Sequence, residues 1–171
     1  PSLPKSRPSL SGASAVAIGA NSGEENQGDS TVAIGVGAGH SAQEAGAVSI
    51  GINTGYVSQG TGAVAIGNQS GHTSQGSASI AIGPTAGNTN QGASAIAIGN
   101  STGTGNQQSG AIAIGTSAGY GGQQNSSVAL GNAAAVSGQQ AESISIGHNA
   151  GYGGQQGEAI SIGFNAGRTS Q

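Results

Sequence analysis

The side chains best suited to recognition are three tyrosines and two histidines that lie at multiples of sixteen residues from one another. They are His40, Tyr56, His72, Tyr120 and Tyr152. Tyr and His rings are amphipathic and can stack on sugar rings or pack against a protein surface. On a stiff scaffold, a regular row of such rings would bind a repetitive polymer through many weak contacts. We predict that these five residues bind a ligand; the alternative is a turn position that tolerates bulky side chains.

The acidic residues and histidines do not form a catalytic set. Catalysis needs unlike groups that converge in a cleft, whereas the single aspartate, Asp29, and the five glutamates are scattered along the chain. Glu24 and Glu25 are neighbours in a turn and need not converge as the carboxylate pair of a glycosidase. His40 and His72 lie two repeats apart, about 10 Å at the spacing of β-strands, which is too far to share a metal ion. We predict no enzyme, no cofactor and no metal site.

The composition excludes several kinds of partner. Only three cations, Lys5, Arg7 and Arg168, stand against six acidic residues, so the chain lacks the basic patch that binds nucleic acid or anionic lipid. No stretch approaches the roughly 18 apolar residues of a membrane span. The chain has no cysteine, which is compatible with an extracellular or virion setting. We predict no nucleic-acid partner and no membrane insertion.

A five-residue phrase of the type AIAIG, found at 95–99, recurs through the chain with a spacing of sixteen residues and no insertion. A glutamine stands eight residues after every phrase glycine. A second glycine stands four residues after every phrase glycine except Gly131, where Ala135 takes its place. Such fixed self-similarity is the signature of a stacked repeat architecture. The ten phrase glycines are Gly19, Gly35, Gly51, Gly67, Gly83, Gly99, Gly115, Gly131, Gly147 and Gly163.

The pattern within the repeat predicts an all-β fold, a parallel β-solenoid or β-roll of ten 16-residue coils. Val and Ile alternate with Ala and Ser across each phrase, which indicates a short strand, and the glycines indicate turns. We expect Val and Ile to form the inner core and Ala and Ser to face outward. The glutamines are expected to form an amide ladder, with ligand binding as the alternative. The predicted domains are a Pro-rich extended arm, 1–14, and the solenoid, 15–171.

A single solenoid of this kind has a thin core. Each coil supplies two large aliphatic side chains, which contribute about 2 kcal/mol each when buried. The repeated Ala/Ser face would also suit close approach by another chain better than exposure to water. We therefore predict a homo-oligomer in which solenoids pack along their length, and symmetry leaves both a dimer and a trimer open.

The phrases SAVAIG, GAVAIG and SAIAIG resemble the SVAIG-type repeats in the heads of YadA-like trimeric autotransporter adhesins. This resemblance covers 15–171 and implies left-handed parallel β-rolls assembled as a homotrimer. The repeat here is longer than is usual in that family and carries the added glutamine. The stretch AGNTNQGASAIAIG is similar to segments of surface proteins of large algal viruses, which implies attachment of a virion to a host cell wall.

These observations predict a non-enzymatic attachment module on a virion or cell surface. Its partners would be further copies of itself and a host surface polysaccharide, such as cell-wall glycan, or a matrix protein. The alternative is a structural stalk or spike shaft that displays another binding domain. An ice-binding rod is less well supported, because it needs a flat Thr-x-Thr array and the threonines here are scattered.

Overall fold

The computed structural model describes residues 12–169, and this part of the chain is a parallel β-solenoid with no helix. Most of the predicted arm, residues 1–11, lies outside the described residues, as does Gln171, the last of the predicted glutamine column. Gly12 donates a backbone hydrogen bond to the Gln27 carbonyl at 2.8 Å, so pairing between coils is present from the first described residue.

The phrases form one long sheet of ten parallel strands stacked in chain order. Each strand pairs with the next at an offset of sixteen residues, from Val16 opposite Val32 to Ile146 opposite Ile162. This confirms the predicted parallel solenoid with a 16-residue coil. The ten strands mark the limits of about nine turns. The strands are Val16–Ile18, Val32–Ile34, Val48–Ile50, Val64–Ile66, Ile80–Ile82, Ile96–Ile98, Ile112–Ile114, Val128–Leu130, Ile144–Ile146 and Ile160–Ile162.

A second, short sheet of five parallel strands was not predicted. Its strands end at the glutamine column and belong to the N-terminal half only. Towards the C terminus, the strands give way to single bridges between Gln107, Gln123, Gln139 and Gln155. Glycine weakens strands, and glycines such as Gly122 and Gly154 stand directly before these glutamines. The five strands are Glu25–Gln27, Ser41–Gln43, Val57–Gln59, Thr73–Gln75 and Thr89–Gln91.

The inner core of the solenoid consists of small residues, and the prediction that Val and Ile fill it is wrong. Ala97 is 0% exposed, whereas its neighbours Ile96 and Ile98 lie half-buried on the outer face. The Ala/Ser positions therefore point inward instead of forming the predicted outer face. Across the coil they meet further small side chains, such as Ala86 and Thr102, which are also fully buried. Val and Ile lie outside this interior, and its small side chains leave space for one larger residue per coil.

That larger residue is the glutamine, and the predicted amide ladder is confirmed. The side chains are buried, and each Nε2 donates to Oε1 of the glutamine one coil later. The donor–acceptor distances run from 2.7 to 3.3 Å, without a break from Gln27 to Gln155. Because the column is inside the coil, its alternative interpretation as a ligand-binding surface is wrong for these residues.

Each amide also ties opposite walls of its coil together. Gln107 Nε2 lies 2.8 Å from the Ile96 carbonyl oxygen and 3.1 Å from that of Ala111. The second glycine of the repeat makes room for this amide: a Cβ on Gly103, whose φ is +53°, would lie 2.7 Å from Gln107 Oε1. Every buried side-chain nitrogen or oxygen within the described residues has a hydrogen-bond partner.

Replacing one ladder residue with an apolar residue of similar size tests this account. In Gln107→Leu, Gln123 Oε1 and the carbonyls of Ile96 and Ala111 lose their amide donor. Leaving a buried polar group unsatisfied costs about 1–3 kcal/mol, so we expect the free energy of unfolding to fall by about 3 kcal/mol. Urea denaturation measures this change. Gln124→Leu, at the exposed position directly after the ladder residue Gln123, is the control and should change stability by less than about 0.5 kcal/mol; equal effects would contradict the ladder's role.

Candidate functional site

The predicted row of rings lies in the turn that follows each long-sheet strand, and the structure divides it into two groups. His40, Tyr56 and His72 occupy three consecutive coils and stack on one another. The ring centroids of His40 and Tyr56 are 4.5 Å apart, and those of Tyr56 and His72 are 5.2 Å apart, with interplanar angles of 19° and 8°. The constant coil register brings these rings together, because one coil spacing is close to the distance preferred by stacked rings.

This three-ring stack is held by polar contacts at both ends. His40 Nε2 lies 3.0 Å from a carboxylate oxygen of Glu24 in the coil before, and His72 Nδ1 lies 3.0 Å from the Thr73 hydroxyl. Tyr56 has one of its faces against each histidine, so a sugar ring cannot stack on it. The stacking therefore gives these three residues a structural role and covers both faces of Tyr56.

Tyr120 and Tyr152 are the exposed members of the row, at 49% and 41%. They lie two coils apart, about 10 Å at the strand spacing, with Val136 in the same turn position between them. Both therefore offer ring surface to a ligand from fixed positions. Of the five residues predicted to bind a ligand, these two have the exposure that stacking on a sugar requires.

A polar groove of about 390 Å³ follows these tyrosines along the C-terminal half. Glycines that come directly after each tyrosine, such as Gly121 and Gly153, line it, and so does a second glutamine column next to the buried ladder. Sequence reasoning missed this outer column, although its signal is present in the Gln-Gln pairs of the last coils. The outer glutamines are Gln108, Gln124, Gln140 and Gln156, and all four are exposed.

The N-terminal half has a different groove at the same turn. It is larger, about 870 Å³, and the position of the outer glutamines is taken there by Gly28, Glu44, Gly60 and Gly76. Besides the ladder glutamines, this groove is lined by glycines and by small side chains such as Ser58 and Ser74, with one acidic side chain. The two halves of the solenoid share a fold but offer different chemistry at their surfaces.

The described residues contain no group of three His, Asp or Glu side chains that could hold a metal ion. His40 and His72 are separated by the ring of Tyr56.

Among the residues that the structure describes, no helix is long and apolar enough to cross a membrane. No family model, curated protein or solved structure matches the chain, so its function must be argued from the geometry.

The histidine at the end of the ring stack should make stability depend on pH. Burial lowers the pKa of His72 below its ordinary value of about 6.5, and the ring faces Tyr56 and the Thr73 hydroxyl, not a carboxylate. The unfolded chain therefore binds this proton more readily than the folded chain. Stability from neutral His72 is present above pH 6.5 and is lost as the pH falls below that value.

We expect the free energy of unfolding to decrease between pH 7 and pH 5, and to decrease less in His72→Asn. Asparagine occupies the same turn position one coil later, at Asn88, so the variant should fold. Urea denaturation at several pH values measures the slope. His148→Asn, on another face, is the control. If His72→Asn keeps the full pH dependence of the unaltered chain, this assignment is wrong.

Proposed function

We propose that the protein is a non-enzymatic surface attachment module, displayed on a virion or cell surface as a homotrimer of β-solenoids. It binds a host surface polysaccharide or a matrix protein. The observation that carries this proposal is the pair of exposed rings, Tyr120 and Tyr152, on a scaffold with constant coil spacing. Tyrosine is enriched at binding hot spots because it combines a large apolar surface with a hydroxyl group.

The scaffold supports attachment because it fixes the spacing of these rings before a ligand arrives. The register is the same at every described step of the long sheet, and the amide ladder runs through all the coils that lie between the two tyrosines. A binding surface that is already ordered loses little conformational entropy on association. Several copies on one oligomer would add avidity for a repetitive host surface.

The outer Val/Ile columns supply the surface for self-association. They form an apolar stripe about 43 Å long, because ten strands are separated by nine spacings of about 4.8 Å. Val and Ile project from this sheet while Ala and Ser point inward, so self-association rests on the branched residues and not on the small face assumed from the sequence. Contiguous apolar patches of this kind mark interaction sites.

Further copies of the same chain are the partner that best fits this stripe. A second copy has the same length and the same coil spacing, so its branched side chains can match the stripe over all ten strands. The strands that form the stripe contain no charged residue. Copies can therefore pack closely without burying a charged side chain. The resemblance to trimeric adhesin heads selects the trimer from the closed symmetries.

The stalk is the second candidate, and the N-terminal half favours it. In that half His40, Tyr56 and His72 stack on one another, and no aromatic side chain lines the groove. A rod with this surface would serve as a spacer. Attachment and stalk differ in whether the exposed tyrosines of the C-terminal half contribute to binding.

Replacing both exposed tyrosines distinguishes the two candidates. In Tyr120→Ala/Tyr152→Ala we expect binding to host surfaces to fall at least tenfold, because each ring contributes on the order of 1 kcal/mol of contact. Binding is measured with the labelled protein on a panel of insoluble cell-wall polysaccharides and immobilised matrix proteins. Val136→Ala, in the same turn position between them, is the control and should keep its affinity. Undiminished binding by the double variant would favour the stalk.

Charge placed in the apolar stripe tests the oligomer. We expect light scattering to give the mass of a trimer for the unaltered chain and that of a monomer for Ile66→Lys/Ile98→Lys, because burying unpaired ammonium groups between copies is unfavourable. Asn68→Lys/Asn100→Lys is the matched control, since both asparagines are exposed just after the same strands. A monomeric unaltered chain would contradict the proposed assembly.

A further inference from the structure

We infer that the polar groove of the C-terminal half binds an extended, uncharged polysaccharide, with successive coils contacting successive sugar units. The inference rests on the proposed attachment function and assigns it a site and a ligand class. Its evidence is the outer glutamine column, the glycines beside it and the absence of ionisable side chains among the residues that line the groove.

The outer glutamines form a regular row of hydrogen-bonding groups. Gln108, Gln124, Gln140 and Gln156 recur every sixteen residues, so they stand one strand spacing apart, about 4.8 Å. Gln140 Nε2 donates to Gln156 Oε1 at 2.9 Å, which orients both amides along the solenoid axis. Each amide has two donor hydrogens and two acceptor lone pairs, so capacity remains for a ligand on the solvent side.

Amides suit the hydroxyl groups of a sugar. A hydroxyl both donates and accepts, and so does a carboxamide, so the same side chain can satisfy a sugar in more than one orientation. The buried partner of each pair fixes the backbone beneath: Gln123 and Gln139 belong to the inner ladder and hold Gln124 and Gln140 in place. Such a pre-formed row of polar groups is typical of a ligand site.

The glycines allow a polymer to approach the backbone. Gly121, Gly122, Gly153 and Gly154 line the groove and present no side chain. Tyr120 and Tyr152 directly precede these pairs in the chain, and both rings are exposed. The combination of an apolar ring surface with neighbouring amides matches a pyranose, which has an apolar face and a polar rim.

The charge of the groove selects a neutral polymer. Its lining side chains are Asn, Gln and Ser, with glycine as the rest. An anionic polysaccharide would lose water from its carboxylates or sulfates without meeting a cation among the side chains that line the groove, which is unfavourable. In the N-terminal half, the outer glutamine position holds Gly28, Gly60, Gly76 and the acidic Glu44, so the same row of amides does not extend there.

Affinity electrophoresis with soluble polymers tests the site. The neutral probes are hydroxyethyl cellulose, laminarin and mannan, and the anionic probe is alginate. We expect at least one neutral polymer to retard the unaltered chain, and alginate not to. For the neutral polymer that binds, Gln124→Ala/Gln140→Ala should weaken binding at least tenfold. Asn100→Ala/Asn132→Ala removes two exposed amides outside the groove and should bind as the unaltered chain does.

Three outcomes would overturn the inference: no retardation by any neutral polymer, equal retardation by alginate, or undiminished binding by the glutamine variant. Each is separable from failure of the attachment function, which is measured in parallel on immobilised matrix proteins and whole cell-wall material. If the glutamine variant still attaches to those surfaces through Tyr120 and Tyr152, attachment stands and this groove is not its polysaccharide site. If the unaltered chain attaches to none of them, the proposed function itself is wrong.

Discussion

A buried carboxamide must find hydrogen-bond partners, and this requirement organises the whole solenoid. The largest fully buried side chains are glutamines, which would be costly to bury alone. Each is satisfied by the identical residue one coil away and by carbonyls of its own coil, as Gln107 is by Gln123, Ile96 and Ala111. An insertion of one residue would move an amide out of line with both neighbours. The constant spacing of sixteen residues is therefore a condition for burying the column.

The ladder also explains the residues around it. A coil that holds one glutamine has space besides it only for Ala, Ser, Thr and Gly. The Val and Ile of each phrase therefore face outward. Glycine at positions such as Gly103 both adopts the left-handed backbone and leaves room for the amide. The apolar stripe proposed for self-association is thus a consequence of the polar interior. Stability and assembly are linked through the same narrow core.

The turn that holds the ring residues varies from coil to coil, and the two halves of the solenoid use it differently. In the N-terminal half, the rings of consecutive coils stack on one another, from His40 to His72. In the C-terminal half, the coil that carries Val136 separates Tyr120 and Tyr152, and both rings remain exposed. The same turn position thus serves packing in one half and, in our proposal, recognition in the other. The spacing of rings by one or two coils decides between these roles.

The sequence by itself determined the period, the parallel register and the amide ladder, because residues at a constant spacing must lie over one another in any stack of equal coils. It also identified the row that holds Tyr120 and Tyr152. The tertiary structure decided which face of each strand is inside, since alternation separates two faces without orienting them. It decided as well that Tyr56 is covered, that glutamines such as Gln124 line a groove, and that a short sheet forms in one half. These features depend on what packs across the coil and between coils, and a pattern along the chain does not contain that information.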